Sequence, residues 1–276
     1  MFSHKNNLIL LSVFLIFLFL GIIRSQDAFK NDYSTFAFSG DGHGTIADFS
    51  GYNKSIFEDG FWQLLVDRWY PKFGGGYSAP KLMNIFWRLT VFSLSYLEPD
   101  NIYDVCVVLL FVLNGVSAYL LARYLKLNHY YSFLCAVFIV SLDNFDFRIT
   151  GHLNLAAYFG FIIAIIFLFE ATRNPTSLRN TLLLGIIIAF SFTTNEYYGL
   201  FVLEISVMYY FIIVWRKTNL ILTLKNGIYC SSSFFVTLAF LYPFTFVGPL
   251  LSKLNISFSY PSRAIHKSEY IQYVLY

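Results

Sequence analysis

From residue 102 to residue 251 the chain is a series of apolar runs separated by short polar loops, and one run limits the possible folds most. Residues 181–215 are apolar over about 35 positions, well beyond the roughly 20 that cross a hydrocarbon core, and only Asn195-Glu196 interrupts them. Two helices joined at a polar tip is the direct reading. Residues 102–121 have the length of one crossing, 153–169 come close to it, and 130–142 are short. Residues 228–251 carry Pro243 and Pro249, which should kink the run or end it early. At the start, 8–23 matches a signal peptide in length, but no small-x-small pattern follows, so it reads as an uncleaved anchor. Charged residues make up only 13% of the chain, against about a quarter in soluble domains. The fold class is therefore an all-α polytopic membrane protein with about seven transmembrane helices.

Loop charges orient those spans, which cover 8–23, 102–121, 130–142, 153–169, 181–194, 197–215 and 228–251. Arg123 and Lys126 follow the second, Arg173 and Arg179 the fourth, and Arg216, Lys217 and Lys225 the sixth. These loops alternate correctly to share the cytoplasmic side by the positive-inside rule, which also puts the N-terminus inside. The net charge of +3 is then a topology signal rather than a nucleic-acid surface. Every conspicuous acidic cluster falls on the opposite, extracytoplasmic face. The chain reads as one domain over 1–276, with an extracytoplasmic loop at 24–101, a helix bundle at 102–251 and the start of a further outer loop at 252–276. Within the first loop, 81–97 is apolar but broken by Asn84 and Arg88, which suits an interfacial or re-entrant helix.

Three outer segments carry chemistry. Ser39-Gly40-Asp41-Gly42-His43-Gly44 sets an acid and an imidazole among glycines, with Asp48 seven residues on. The segment is either a polar turn on a wet surface or a functional one. In the second case it supplies a carboxylate base, or a carboxylate and imidazole pair for a divalent metal or a phosphate-bearing ligand. The 143–152 loop gathers Asp143, Asp146, Arg148 and His152 at a membrane boundary, more ionisable groups than topology requires. Asp146 and Arg148 could be a solvated ion pair, or Arg148 and His152 could grip a phosphate. At the third tip, Glu196 precedes Tyr197-Tyr198, and such tyrosines are ordinary membrane anchors. Glu204, about two turns deeper, should face the bundle interior, whereas Asp104 should only mark the interface. Cys106, Cys135 and Cys230 all lie in apolar segments and read as small hydrophobes.

The order of these features resembles the GT-C superfamily of polytopic membrane glycosyltransferases, which includes the YfhO-like proteins. A first span leads to a long outer loop with an acid, and Phe73-Gly74-Gly75-Gly76-Tyr77-Ser78-Ala79-Pro80 is similar to the family's glycine-rich approach to a proline. Asn114-Gly115-Val116-Ser117-Ala118-Tyr119-Leu120-Leu121-Ala122-Arg123 looks like its Gly-x-x-x-Tyr-x-x-x-Arg span. Gly151-His152 opens another span and Asn195-Glu196-Tyr197-Tyr198 a further one. The resemblance implies a bacterial cytoplasmic-membrane enzyme. It would transfer a sugar from a polyprenyl-phosphate donor to an extracytoplasmic acceptor such as a cell-envelope glycan, a lipid or a protein. It makes Asp41 the catalytic base, with Asp48 as substitute, and His43, Asp146, Arg148, His152 and Glu196 the substrate-binding set. Such proteins have more spans, so the resemblance also implies a continuation beyond Tyr276. The rival reading is a lipid or solute transporter using the same charges as a pathway, but one oversized outer loop and no clear repeat favour a transferase.

Overall fold

The computed structural model describes residues 4–24, 69–70, 77–78, 85–142 and 153–241. Eight α-helices lie among them: α1 His4–Arg24, α2 Ile85–Ser93, α3 Pro99–Tyr124, α4 His129–Val140, α5 Phe159–Arg173, α6 Leu178–Thr194, α7 Glu196–Lys217 and α8 Leu220–Leu241. A two-residue antiparallel pair, β1 Trp69–Tyr70 with β2 Tyr77–Ser78, flanks the glycine-rich stretch. The described fold is thus almost wholly helical. Asn7–Arg24, Asn101–Tyr124 and Tyr197–Lys217 are long and apolar enough to cross a membrane. Outward-facing Phe240, Ile221, Val236, Met208 and Phe138 are each at least 65% exposed, a coat that suits lipid far better than water.

Local sequence sets most helix ends. Asn195 closes α6 and opens α7, its side chain accepting from the Tyr198 amide at 3.1 Å, so the polar tip divides the long apolar run as expected. Asn128 caps α4 and Ser177 caps α6 in the same way. At α8 the outcome differs from the sequence expectation. The helix begins at Leu220, because Asn219 accepts from the Leu222 amide, and Lys225 lies within the helix rather than in the loop before it. Its ammonium sits 5.7 Å from the Tyr229 ring centre. Pro243 and Pro249 fall outside the described residues. Helix α2 has nine residues, about 14 Å of rise, so it is too short to cross, and its Val91 is buried in the core.

Two apolar clusters hold the helices together. One joins α1, α3 and α4 around Phe17, Leu110 and Phe111, with Phe17 fully buried. The other joins α5 to α8 around Leu168, Leu184, Ile188 and Val202. Gly115 and Gly185 each face a neighbouring helix at close range, as expected when lipid supplies no hydrophobic drive between helices. A Cβ on Gly115 would stand 2.6 Å from the Phe17 ring, while one on Gly185 would collide with the Cys230 carbonyl and the Ser233 hydroxyl of α8. A ring can swing aside but a helix backbone cannot. Gly185→Ala should therefore destabilise the bundle by about 1–3 kcal/mol and Gly115→Ala by less. Thermal unfolding in detergent checks this; equal losses at both positions would count against backbone contact as the cause.

Three basic helix ends meet at one end of the bundle. The Lys217 ammonium donates to the Thr172 carbonyl at 2.9 Å, and the Tyr124 hydroxyl donates to Glu170 Oε2 at 2.9 Å. Asn226 of α8 donates to the Pro175 carbonyl at 2.5 Å. Side chains from α3, α7 and α8 thus fasten the segment that leaves α5.

Candidate functional site

Asp41, His43, Asp48, Asp143, Asp146, Arg148 and His152 lie outside the described residues, and so does their expected convergence. Glu196 is the first residue of α7, and its side chain lies outside the described residues. What the structure does describe is the protein into which the 143–152 loop feeds.

The chain re-emerges from that loop as a 3₁₀ turn, Leu153–Ala156, and then enters α5. Tyr158, at the N-cap position of α5, makes no side-chain cap. The cap comes instead from α3, where fully buried Asn114 accepts from the Phe159 amide at 2.8 Å and donates to the Ala156 carbonyl at 2.7 Å. From α7, the Tyr198 hydroxyl donates to the Leu155 carbonyl at 2.7 Å, and its ring packs on Tyr158 with centroids 5.7 Å apart. Buried Asn195 orients this first turn of α7 through its cap. Three separate sequence features therefore meet at one place: the Asn114 segment, the span opened by Gly151-His152, and Asn195-Glu196-Tyr197-Tyr198. In an apolar bundle each of these hydrogen bonds is costly to lose, so together they fix the 3₁₀ turn and the start of α5.

The remaining members of the Asn114–Arg123 motif have structural work. Spacing of four places Gly115, Tyr119 and Arg123 along one face of α3. Gly115 receives Phe17 of α1, the Tyr119 hydroxyl hydrogen-bonds His129 Nδ1 at 2.7 Å, and Arg123 donates to the Leu127 carbonyl. This face stitches α1 and the start of α4 to α3. Asn114 lies one residue, about 100° of helical rotation, away from that face and serves α5 instead.

Two expectations are corrected. Asp104 does not mark an interface; it is 1% exposed, a carboxylate inside the apolar α3 close to Tyr103 and Cys106. It is a functional candidate that sequence reading passed over, since nothing in the sequence separates a buried acid near a helix start from a solvated one. Glu204, expected to face inward, is exposed. Helix α7 packs through Val202 and Ser206, and a residue midway between two that share a face points the opposite way. Tyr197 is exposed, as an interfacial anchor would be, while its neighbour Tyr198 turns inward.

Among the described residues no group of three or more His, Cys, Asp or Glu is placed to hold a metal ion. Residues 85–262 match the model of a family described as Domain of unknown function (DUF6311), a stretch that takes in α2 to α8. No curated protein and no solved structure matches the chain.

Proposed function

The chain belongs to the DUF6311 family; from the order and chemistry of its sequence features we propose that it is a membrane glycosyltransferase of GT-C type. It moves a sugar from a polyprenyl-phosphate donor to an acceptor on the extracytoplasmic side. The acceptor oxygen attacks the anomeric carbon and passes its proton to Asp41, with Asp48 as substitute. The bond from that carbon to the donor phosphate breaks, the polyprenyl phosphate leaves, and the configuration inverts. Arg148 and His152 hold the phosphate, and His43, Asp146 and Glu196 bind the sugar or the acceptor. The transition state needs a base and charge stabilisation, which these residue types supply at neutral pH.

One observation supports this reading above the others. Asn114 and Tyr198 hold Leu155, Ala156 and Phe159, where the chain enters α5, beside the Asn195 cap of α7, and this junction supports a common face for the outer segments that precede the two helices. The seven longest helices, α1 and α3 to α8, serve as seven spans with the N-terminus cytoplasmic. Reporter fusions after Lys126 and Arg179 should then read as cytoplasmic, and fusions near Asn53 and Phe147 as exterior. A cytoplasmic signal at Phe147 would remove the common face and the transfer reading with it. The direct test incubates membranes containing the full chain with labelled polyprenyl-phosphate sugars. Sugar appearing on an acceptor supports a transferase, whereas movement of the intact donor across the membrane without transfer supports a transporter.

A further inference from the structure

The structure assigns a second binding site, for a phosphate-bearing ligand, to the basic end of the bundle, on the side away from the Asn114 clasp. Asn114 and Tyr124 are ten residues, about 15 Å, apart along α3. The inference does not depend on the transfer reading. An open surface depression of about 520 Å³ lies between the C-terminal ends of α3, α5 and α7. Lys126, Arg173 and Lys217 line it, one from each of those ends. Behind them Tyr124, Phe169 and Tyr209 form a continuous aromatic wall. Tyr124 stacks on Phe169 with centroids 6.3 Å apart, and Phe169 meets Tyr209 edge-on at 5.7 Å.

Cations after spans are ordinary topology signals, and cations at helix C-termini offset the dipole. Either effect explains a charge at each helix end. Neither explains three cations on the wall of one depression, against joined aromatic rings, with no acidic side chain among its lining residues. Glu170 lies at the edge, its carboxylate taken by Tyr124 and by Asn174 at 3.3 Å. Lys217 is partly committed to the Thr172 carbonyl and Arg173 to the Tyr124 hydroxyl, so Lys126 and the remaining guanidinium N–H groups of Arg173 are the principal anion donors. Lys126 holds its place at φ 69°, a left-handed conformation that glycine or asparagine adopts more readily than lysine. A guanidinium and an ammonium above an aromatic wall suit a phosphate ester whose organic part rests on the rings. Basic pockets between membrane helices take anionic lipid headgroups by this chemistry. A soluble phosphate ester would use the same contacts.

The test uses the full chain in phosphatidylcholine nanodiscs doped with photoreactive phosphatidylglycerol, with photoreactive phosphatidylcholine as control. Crosslinks should map to the peptides bearing Lys126, Arg173 and Tyr209, with the anionic probe only. The Lys126→Gln/Arg173→Gln double variant should lose affinity by about 25-fold, roughly fivefold for each cation. Both side chains are exposed, so the melting temperature should hold and a loss of labelling would not report misfolding. Calorimetry with inorganic pyrophosphate distinguishes the sources. Binding that the double variant abolishes, without lipid labelling, identifies a soluble phosphate ester and keeps the site. Labelling equal with both lipids, or a double variant indistinguishable from the wild type with both probes, overturns the proposal.

Discussion

Asn114→Ala is expected to lower the melting temperature of the detergent-solubilised protein by about 5–15 °C, the largest stability effect of any single polar substitution in the bundle. One amide makes two buried bonds, from the Phe159 N–H and to the Ala156 carbonyl, and both partners sit where water is scarce. Taking a partner from a buried polar group costs about 1–3 kcal/mol, so the pair amounts to roughly 2–5 kcal/mol. Asn114→Asp is the discriminating variant. It keeps the acceptor for Phe159 but turns a carboxylate oxygen toward the Ala156 carbonyl, so it should be no better than alanine. If Asn114→Asp melts like the wild type, the donor half of the clasp contributes nothing. The clasp also fixes the 3₁₀ turn that follows the 143–152 loop, so Asn114→Ala should slow transfer in molecules that remain folded. Tyr198→Phe, which removes a single bond to Leu155, should produce a smaller change in the same direction.

On the transfer reading, Asp41→Asn should reduce the rate of sugar transfer by about 10²–10⁴-fold, the range general-base catalysis contributes. The amide keeps the shape of the carboxylate but cannot take the acceptor's proton, so donor binding should be nearly unchanged. Arg148→Lys should do the reverse. It retains the charge but loses the two-pronged geometry, so donor binding should weaken more than the chemical step slows. Transfer rates and donor affinities measured with labelled polyprenyl-phosphate sugars separate the two. Undiminished transfer by Asp41→Asn would move the base to Asp48. Full activity in the Asp41→Asn/Asp48→Asn double variant would end the outer-loop base mechanism.

Hydrophobic run length and capping residues make much of the helical frame legible in the sequence. Asn195-Glu196 had to break the 181–215 run, because no single helix of that length fits a bilayer, and asparagine both ends one helix and caps the next. A helix is expected within 81–97, and α2 occupies Ile85–Ser93 of it. Run length did not place the start of α8, since Lys225 and Asn226 look like loop residues until Asn219 is seen capping ahead of them.

Packing decided the rest. Whether an acid in an apolar run faces lipid, water or the bundle depends on which stripe of its helix meets a neighbour. Apolar periodicity is weak when every face is apolar, and so Asp104 is buried and Glu204 exposed, the reverse of the sequence reading. The Gly115, Tyr119 and Arg123 spacing was visible as a motif, but only the positions of Phe17, His129 and Leu127 reveal it as a seam between helices. The Asn114 clasp and the depression between Lys126, Arg173 and Lys217 join residues 42 to 91 positions apart. Sequence alone determined that this chain would be a bundle of apolar helices, because bilayer thickness and the cost of burying charge act on each segment independently. Tertiary structure decided which polar groups meet, because a hydrogen bond between distant helices depends on their rotation and register, and no single segment encodes either.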